Sequence, residues 1–344
     1  MNKLTKVGLS ALCGSLATIS SANAGDLTVT GGVDMTWASM HESQTGNPIG
    51  IGSNLTFKGS GELDNGWTFD MTVANTNASV YSAAVVDIGM GGLGNLMINQ
   101  GDGNGLGAYD DKMPTAWEES WGAGMGTGII LPTGAGTSHN IKYTTPKILG
   151  ITIAGTLAPQ YGATDNPDKT QSGPSNSEFG KGKDVVININ PSFGTEVLSG
   201  LNLFGGASEI EQYDPSIAEN KYEGTVGYTY SLGPVSIGGQ TSAQYTGETD
   251  AQQTNVYKTT AFGVAFNIND NLSASYGTME SRKAGHTHSS MYTNGDLITV
   301  KSVQAAYTMG GASVRLAHVT ADNTNFSTAA GADVQAMIVS LGLA

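Results

Sequence analysis

An alternation of apolar and polar residues with a period of two recurs along this chain and restricts its fold more than any other feature. Residues 53–73, SNLTFKGSGELDNGWTFDMTV, show it best. Leu55, Phe57, Gly61 and Leu63 share one parity, and Asn54, Thr56, Lys58, Ser60 and Glu62 share the other, so a strand here carries its charge on one face. After Asp64-Asn65-Gly66 the alternation resumes: Trp67, Phe69, Met71 and Val73 point one way, Thr68, Asp70 and Thr72 the other. Asn-Gly is a strong signal for a type I′ turn, whose two central residues need positive φ, so a tight hairpin with one greasy and one wet face is predicted. A soluble sandwich would bury the greasy face against a second sheet, whereas a membrane barrel would turn it to lipid and keep charge inside.

The ends and the composition narrow this choice. Lys3 and Lys6, an apolar run over residues 7–19 and Ala22-Asn23-Ala24 read as a secretory signal peptide over residues 1–24, leaving 25–344 as one domain. The single cysteine, Cys13, falls in the leader, so the mature chain is expected to have neither a disulfide nor a cysteine metal site. Thirteen basic against 29 acidic residues then remain, which disfavours nucleic acid and favours cations as partners. No mature segment is a continuous apolar run long enough for a membrane helix. The 49 glycines with only 10 prolines point instead to strands and turns.

Along the chain, seven hairpins with short turns and one unpaired strand at each end give sixteen strands, an even number that closes a barrel. The longer connections fall at about residues 41–52, 74–79, 101–138, 162–183, 208–221, 246–257, 280–300 and 320–333. Val80 is read into the fourth strand. Asp34, Lys58, Glu62, Asp70, Asp87, Lys142, Asp184, Glu223 and Arg315 all take the polar parity, as a lipid-facing wall requires. A one-faced soluble sheet would segregate charge too, so strand count and loop asymmetry decide. The fold class is all-β: a transmembrane antiparallel barrel with short periplasmic turns and long extracellular loops.

SNLTFKGSGELDNGWTF, GLGNLMINQ and HNIKYTTPKILGITIAGTLAPQYG resemble, in order and spacing, segments of the general porins of Gram-negative outer membranes. The resemblance implies a homotrimer in the outer membrane, in contact with lipid and lipopolysaccharide, whose third long loop folds into the pore. Two features depart from that family. The chain ends at Ala344 where an aromatic residue is usual, and the outward parity of Met337, Val339, Leu341 and Leu343 leaves room for one trimmed outward residue. The wall also has few arginines, only Arg282 and Arg315 being present.

By this resemblance, residues 101–138 form the pore loop, with Asp102, Asp110, Asp111, Glu118 and Glu119 against Lys112. Carboxylates in a narrow, partly dehydrated channel attract cations more strongly than in bulk water. Lys58, Lys142 and Arg315 are expected opposite them on the wall. An acid on the solvated side of the loop would line nothing, and Trp117 and Trp121 fit anchoring the loop better than touching solutes. Asp102-Gly103-Asn104 resembles the start of a calcium loop but has Leu106 where an oxygen ligand belongs. Arg282 and Lys283 suit lipopolysaccharide phosphates or plain solvation, and His286 and His288 suit an exposed loop better than a metal. The expected function is a water-filled, cation-preferring pore for passive diffusion of small hydrophilic solutes, without a cofactor. The rivals are a substrate-selective channel, a structural or adhesive barrel, and an acyl hydrolase using His139 or His318. Most strand aromatics have outward parity, which argues against a sugar-binding aromatic lane.

Overall fold

The computed structural model describes residues 23–24, 27–41, 48–77, 82–101, 103–118, 125–136, 138–162, 179–191, 196–213, 217, 219–248, 254–285 and 297–343. Sixteen strands form the barrel: β1 (Thr28–His41), β2 (Ile49–Glu62), β3 (Thr68–Thr76), β4 (Ala83–Gly89), β5 (Asn95–Gln100), β6 (Asn140–Thr144), β7 (Ile151–Ala158) and β8 (Phe179–Ile189). They continue with β9 (Leu201–Gln212), β10 (Lys221–Leu232), β11 (Val235–Tyr245), β12 (Thr254–Asn267), β13 (Leu272–Gly285), β14 (Leu297–Met309), β15 (Ala312–Asp322) and β16 (Val334–Leu343). Each is antiparallel to its neighbour in sequence, and β16 closes on β1 through pairs such as Val339 with Trp37 and Leu341 with Met35. Asn23–Ala24 add a two-residue bridge to Gly61 and Glu62. The rest of the proposed leader, Val80, Asp102, Glu119, Trp121, His286, His288 and Ala344 lie outside the described residues.

Short turns join the strands at one end, among them Gly233-Pro234 and Gly310-Gly311, and the long connections lie at the other. The longest of the short-side turns, between β8 and β9, carries the four-residue helix α1 (Glu196–Ser199). The first hairpin turns differently from the sequence expectation. Gly66 has φ +80°, but Asn65 is not in the left-handed region, so the turn is not type I′. Leu63 and Trp67 instead close a three-residue loop over Asp64–Gly66, in which the Asn65 side-chain oxygen accepts the Trp67 N–H at 3.1 Å.

Parity holds for the apolar residues that form the lipid-facing belt. Ile51, Val226 and Met309 are 70%, 58% and 67% exposed on the outside, part of an apolar belt that water would not tolerate on a monomer but lipid accepts. Two expectations need correcting. Strands β8, β9, β12 and β13 run on into segments expected to be loops, and their outer ends carry Lys181, Lys183, Glu209, Glu211, Lys258, Glu280 and Arg282 on the outward parity. Near the end of a strand an outward charge reaches the headgroups and water, so the penalty that sorts charges at mid-membrane fades. The inward parity, in turn, is not uniformly polar. Ala261, Met279, Ile298, Val300, Ala317, Val319 and Ile338 form an apolar patch inside the barrel on β12–β16, packed against loop residues Met113, Met125 and Ile129.

Candidate functional site

The connection between β5 and β6 enters the barrel and lies against its inner wall, out along one strip and back along another. Strand β8 and every strand from β10 to β14 supply an inward-facing polar side chain that receives it, while β9 meets it with the Phe204 ring against Tyr109. On the outward strip, Gln240 of β11 accepts the Lys112 N–H at 3.0 Å and donates to the Tyr109 and Asp110 carbonyls at 2.8 and 2.7 Å. Ser275 of β13 accepts the Ala116 N–H at 2.8 Å. Gln304 of β14 accepts the Trp117 and Glu118 N–H groups at 3.2 and 2.9 Å and donates to the Glu118 carbonyl at 2.8 Å. A side-chain amide bonded in both senses imitates a strand neighbour, so the loop is tied to the wall as a further strand would be.

The return strip is held by Thr259, which donates to the Ile130 carbonyl at 2.9 Å, then by Glu223 and Asp184. Glu223 accepts the Gly134 N–H at 2.7 Å, both donors of Thr133 at 3.3 Å, the Ser208 hydroxyl at 3.0 Å and the Lys221 ammonium at 2.8 Å. Asp184 accepts the Ala135 N–H at 3.0 Å. Asn99 and Asn140 then hold the Gly136 carbonyl at 3.2 and 2.8 Å. The wall is bare where the loop comes closest: a Cβ on Gly206, Gly238 or Gly263 would stand 2.7 to 2.9 Å from Leu106, Pro114 or Met113.

The open passage lies on the other side, between loop residue Ala116 and β14–β16, β1 and β2. It includes a cavity of about 680 Å³ lined by Asp34, Asn54, Thr56, Ala116, Thr308 and Arg315. Arg315 donates to Asp34 at 2.9 Å and lies 5.9 Å from the Trp117 ring centre. Glu118 stands within electrostatic reach of both; burial raises its carboxyl above the usual range, Arg315 opposes this and Asp34 adds to it. The structure thus brings Glu118, Trp117, Arg315 and Asp34 together.

The other candidates are dispersed. Asp110 and Asp111 sit where Gln240 grips the loop, and Lys112 lies over the Tyr109 ring at 5.4 Å. Asp111 is 8% exposed, wedged between loop and wall, so it does not line the open passage. Lys142 does not oppose the loop acids. It stands near Asp184 and lines a 240 Å³ recess with Gly105, Tyr109 and Asn188. Lys58 projects inward between Thr28 and Thr72, and among the described residues it makes no pair with a loop acid. Asn104, which the calcium pattern would use, donates to Asn140 at 3.1 Å, and no group of three metal-binding side chains occurs among the described residues. Lys283 turns inward onto the Phe326 ring at 5.1 Å, while His318 faces out beside Gln335. The clamps Gln240, Ser275 and Gln304 were missed; their signal was a polar residue at one inward position on each of several strands.

Burial raises the Asp111 carboxyl to about 6, a neighbouring Asp110 charge adding to the rise and the Met113 N–H opposing it. A raised folded-state value means that the native form is favoured by Asp111 below pH 3.8 and loses that contribution as pH rises through about 6. Asp111→Asn keeps the acceptor for Met113, which Oδ1 now serves at 2.8 Å, and removes the buried charge. The variant should therefore be more stable than wild type by about 2–3 kcal/mol at neutral pH, with no difference at pH 3. Denaturation midpoints at the two pH values check this.

A family model described as Gram-negative porin matches residues 8–296. No curated protein sequence matches. Among solved structures, one titled "Structure of porin refined at 1.8 Angstroms resolution" superposes with a TM-score of 0.62 at 13% identity, covering 92% of this chain and 100% of that one. In-vitro folded OmpT, an outer membrane protein of Vibrio cholerae, gives 0.63 at 11% identity over 94% and 98%. Salmonella typhi OmpF in complex with daunomycin gives 0.62 at 12% identity over 92% and 97%. At such identities these structures speak for the fold, and the family match covers most of the sequence. The chain belongs to the Gram-negative porins, barrels of the outer membrane.

Proposed function

We propose that this porin is a water-filled channel through which ions and small hydrophilic solutes diffuse passively, with a preference for cations. The observation that carries the preference is the gathering of two carboxylates, Glu118 of the inserted loop and Asp34 of the wall, within electrostatic reach of the single base Arg315. The inward wall of β1–β4 adds Asp34, Glu62, Asp70 and Asp87 against Lys58, and Asp70 stands directly opposite Asp87 across the β3–β4 ladder. Like charges so placed raise the local cation concentration. No aromatic lane accompanies them among the described residues, so diffusion rather than a dedicated sugar path fits best. No cofactor and no catalytic step enters this reading.

The test is the reversal potential of the refolded protein in a planar bilayer under a salt gradient. A cation-selective sign supports the reading, an anion-selective sign removes the acidic filter while leaving the channel, and no conductance from a folded barrel removes the channel.

A homotrimer is part of the proposal. In-vitro folded OmpT of Vibrio cholerae has a structure in trimer form. On the present chain, the described outward side chains of β16 and β1–β7 include none from Asp, Glu, Lys or Arg, even near the long-loop end, where Trp37 and Ile49 are 53% and 55% exposed. A surface buried between copies has no use for outer-end charges. Ile51→Arg would place an unpaired charge in that interface at a cost of about 3–5 kcal/mol, so light scattering in detergent should show monomers. A trimer that persists would place the contact elsewhere.

A further inference from the structure

The inner wall of β6–β8 carries a base that the passage past Glu118 does not use. Lys142 of β6 faces the lumen, and among the described residues it has neither a hydrogen bond nor an ion pair. It lines the 240 Å³ recess on the short-turn side of the inserted loop's first turn, Gly105–Tyr109. The other polar wall groups come from strand ends next to the short turns: Thr144 is the last residue of β6, Thr152 the second of β7 and Asn188 the last but one of β8. Among the described residues the hydroxyls of Thr144 and Thr152 make no hydrogen bond. Three strands thus turn free polar groups into one hollow.

Small residues make the room. Ala154 stands on the wall directly opposite Thr144 across the β6–β7 ladder, and Gly105 and Ala108 lie in the roof. A Cβ on Gly105 would stand 2.5 to 2.7 Å from the Asp184 carboxylate and the Thr156 hydroxyl, so the roof is pressed to the wall at that end. Tyr109 is held over the hollow from two sides, its ring 5.4 Å from that of Phe204 and its hydroxyl 3.5 Å from Asn188 Nδ2. A roof so fixed needs no ordering when a ligand enters. At about 30 Å³ per water the recess has room for about eight waters, or for an organic acid of about three or four carbons.

The charges in and around the recess select the ligand. Lys142 lines it, whereas Lys112 is held over the Tyr109 ring at 5.4 Å and does not. Asp184, within electrostatic reach of Lys142, is turned to the loop, where it accepts the Ala135 N–H at 3.0 Å. A dianion would face that carboxylate with a single base to balance it, and a neutral solute would leave the ammonium without a partner. One negative charge matches. Thr152 and Asn188 stand directly opposite each other across the β7–β8 ladder and suit a hydroxyl on the same molecule. We propose that the recess is a binding site for a short 2-hydroxy monocarboxylate, its carboxylate on the Lys142 ammonium and the Thr144 hydroxyl, its own hydroxyl between Thr152 and Asn188. The inference rests on a lumen open to small solutes and not on its ion preference. A charge-assisted hydrogen bond from the ammonium is the strongest single contact.

The test uses full-length refolded protein in detergent micelles and saturation-transfer difference NMR, at fixed ionic strength. The probes are lactate, its neutral amide lactamide, propionate, which lacks the hydroxyl, and inorganic phosphate as competitor. Wild type should give a saturable lactate signal, with affinity at least about tenfold weaker for lactamide and about fivefold weaker for propionate. Inorganic phosphate at equal concentration should not displace lactate. K142Q should lose at least about tenfold in lactate affinity, and A154L, which fills the recess from the wall, should abolish the signal. K258Q, on the outer face, should keep it. Equal affinity for lactate and lactamide, or undiminished binding by K142Q or A154L, overturns the proposal. Propionate bound as well as lactate overturns the placement of the hydroxyl, and displacement by phosphate overturns the site in favour of a general anion sink. Should K142Q fail to fold, lactate against lactamide on wild type still decides. Channel conductance is measured alongside: a conducting channel without a lactate signal removes the recess alone, and a folded barrel that binds lactate without conducting removes the pore reading alone.

Discussion

Glu223→Ala should release the inserted loop while leaving the barrel standing. The side chain is fully buried and is the shared acceptor for Gly134, Thr133, Ser208 and Lys221, the last at 2.8 Å. Removing it strands an ammonium that is itself only 15% exposed, together with two loop N–H groups. Breaking a buried pair from one side costs about 3–5 kcal/mol, a sum concentrated on the loop because the strand ladder of β10 with β9 and β11 is untouched. Single-channel recordings should show a larger, noisier conductance, and limited proteolysis should cut the loop in the variant but not in wild type. Glu223→Gln, which keeps an acceptor for Gly134, should fall between the two. A quiet conductance of unchanged size in Glu223→Ala would show that the return strip is held by its apolar contacts alone.

Reversing the charge balance around Glu118 and Arg315 should change selectivity in opposite directions from its two sides. A charge about 5 Å from an ion's path is worth roughly 1–3 kcal/mol between aqueous and protein-surface dielectric, and a water-filled pore belongs at the low end, so each neutralisation should shift the cation-to-anion permeability ratio about fivefold. Glu118→Gln should lower the ratio. Arg315→Gln should raise it, because it also frees Asp34 from its 2.9 Å partner. Asp111→Asn should leave the ratio near wild type, since that carboxyl is turned to the wall. Reversal potentials in one salt gradient compare all three. A drop for Asp111→Asn as large as for Glu118→Gln would overturn the assignment of the passage to the Glu118 side.

How far the sequence could be read varies along the molecule in a way that has a cause. The outward residues of the last strand, Met337, Val339, Leu341 and Leu343, are exposed as their parity implies, because lipid acts on each residue separately and a period of two is enough to sort them. The outer ends of β8, β9 and β13 escaped the same reading. Lys183, Glu209 and Arg282 are outward but reach beyond the hydrocarbon, where the sorting force fades, so an alternation that stops being apolar looked like the end of a strand. Within the candidate site, Arg315 was legible as a rare inward base, yet Lys142, equally inward, turned out to face Asp184.

The lumen was decided at longer range. Asp184 and Glu223 read only as inward-facing charges because inward parity is all that a strand encodes about them; that they hold a loop depends on Ala135 and Gly134, 49 and 89 residues away. Gln304 meets Trp117 across 187 positions and Gln240 meets Lys112 across 128. By itself the sequence determined the barrel, its strand number, the face each strand turns to lipid and the end that carries the long loops, since these follow from local alternation and turn chemistry. Only the tertiary structure decided which inward groups line water and which clamp the loop, because the lumen admits polar and apolar side chains alike and their partners are chosen by the path of a segment far away in the chain.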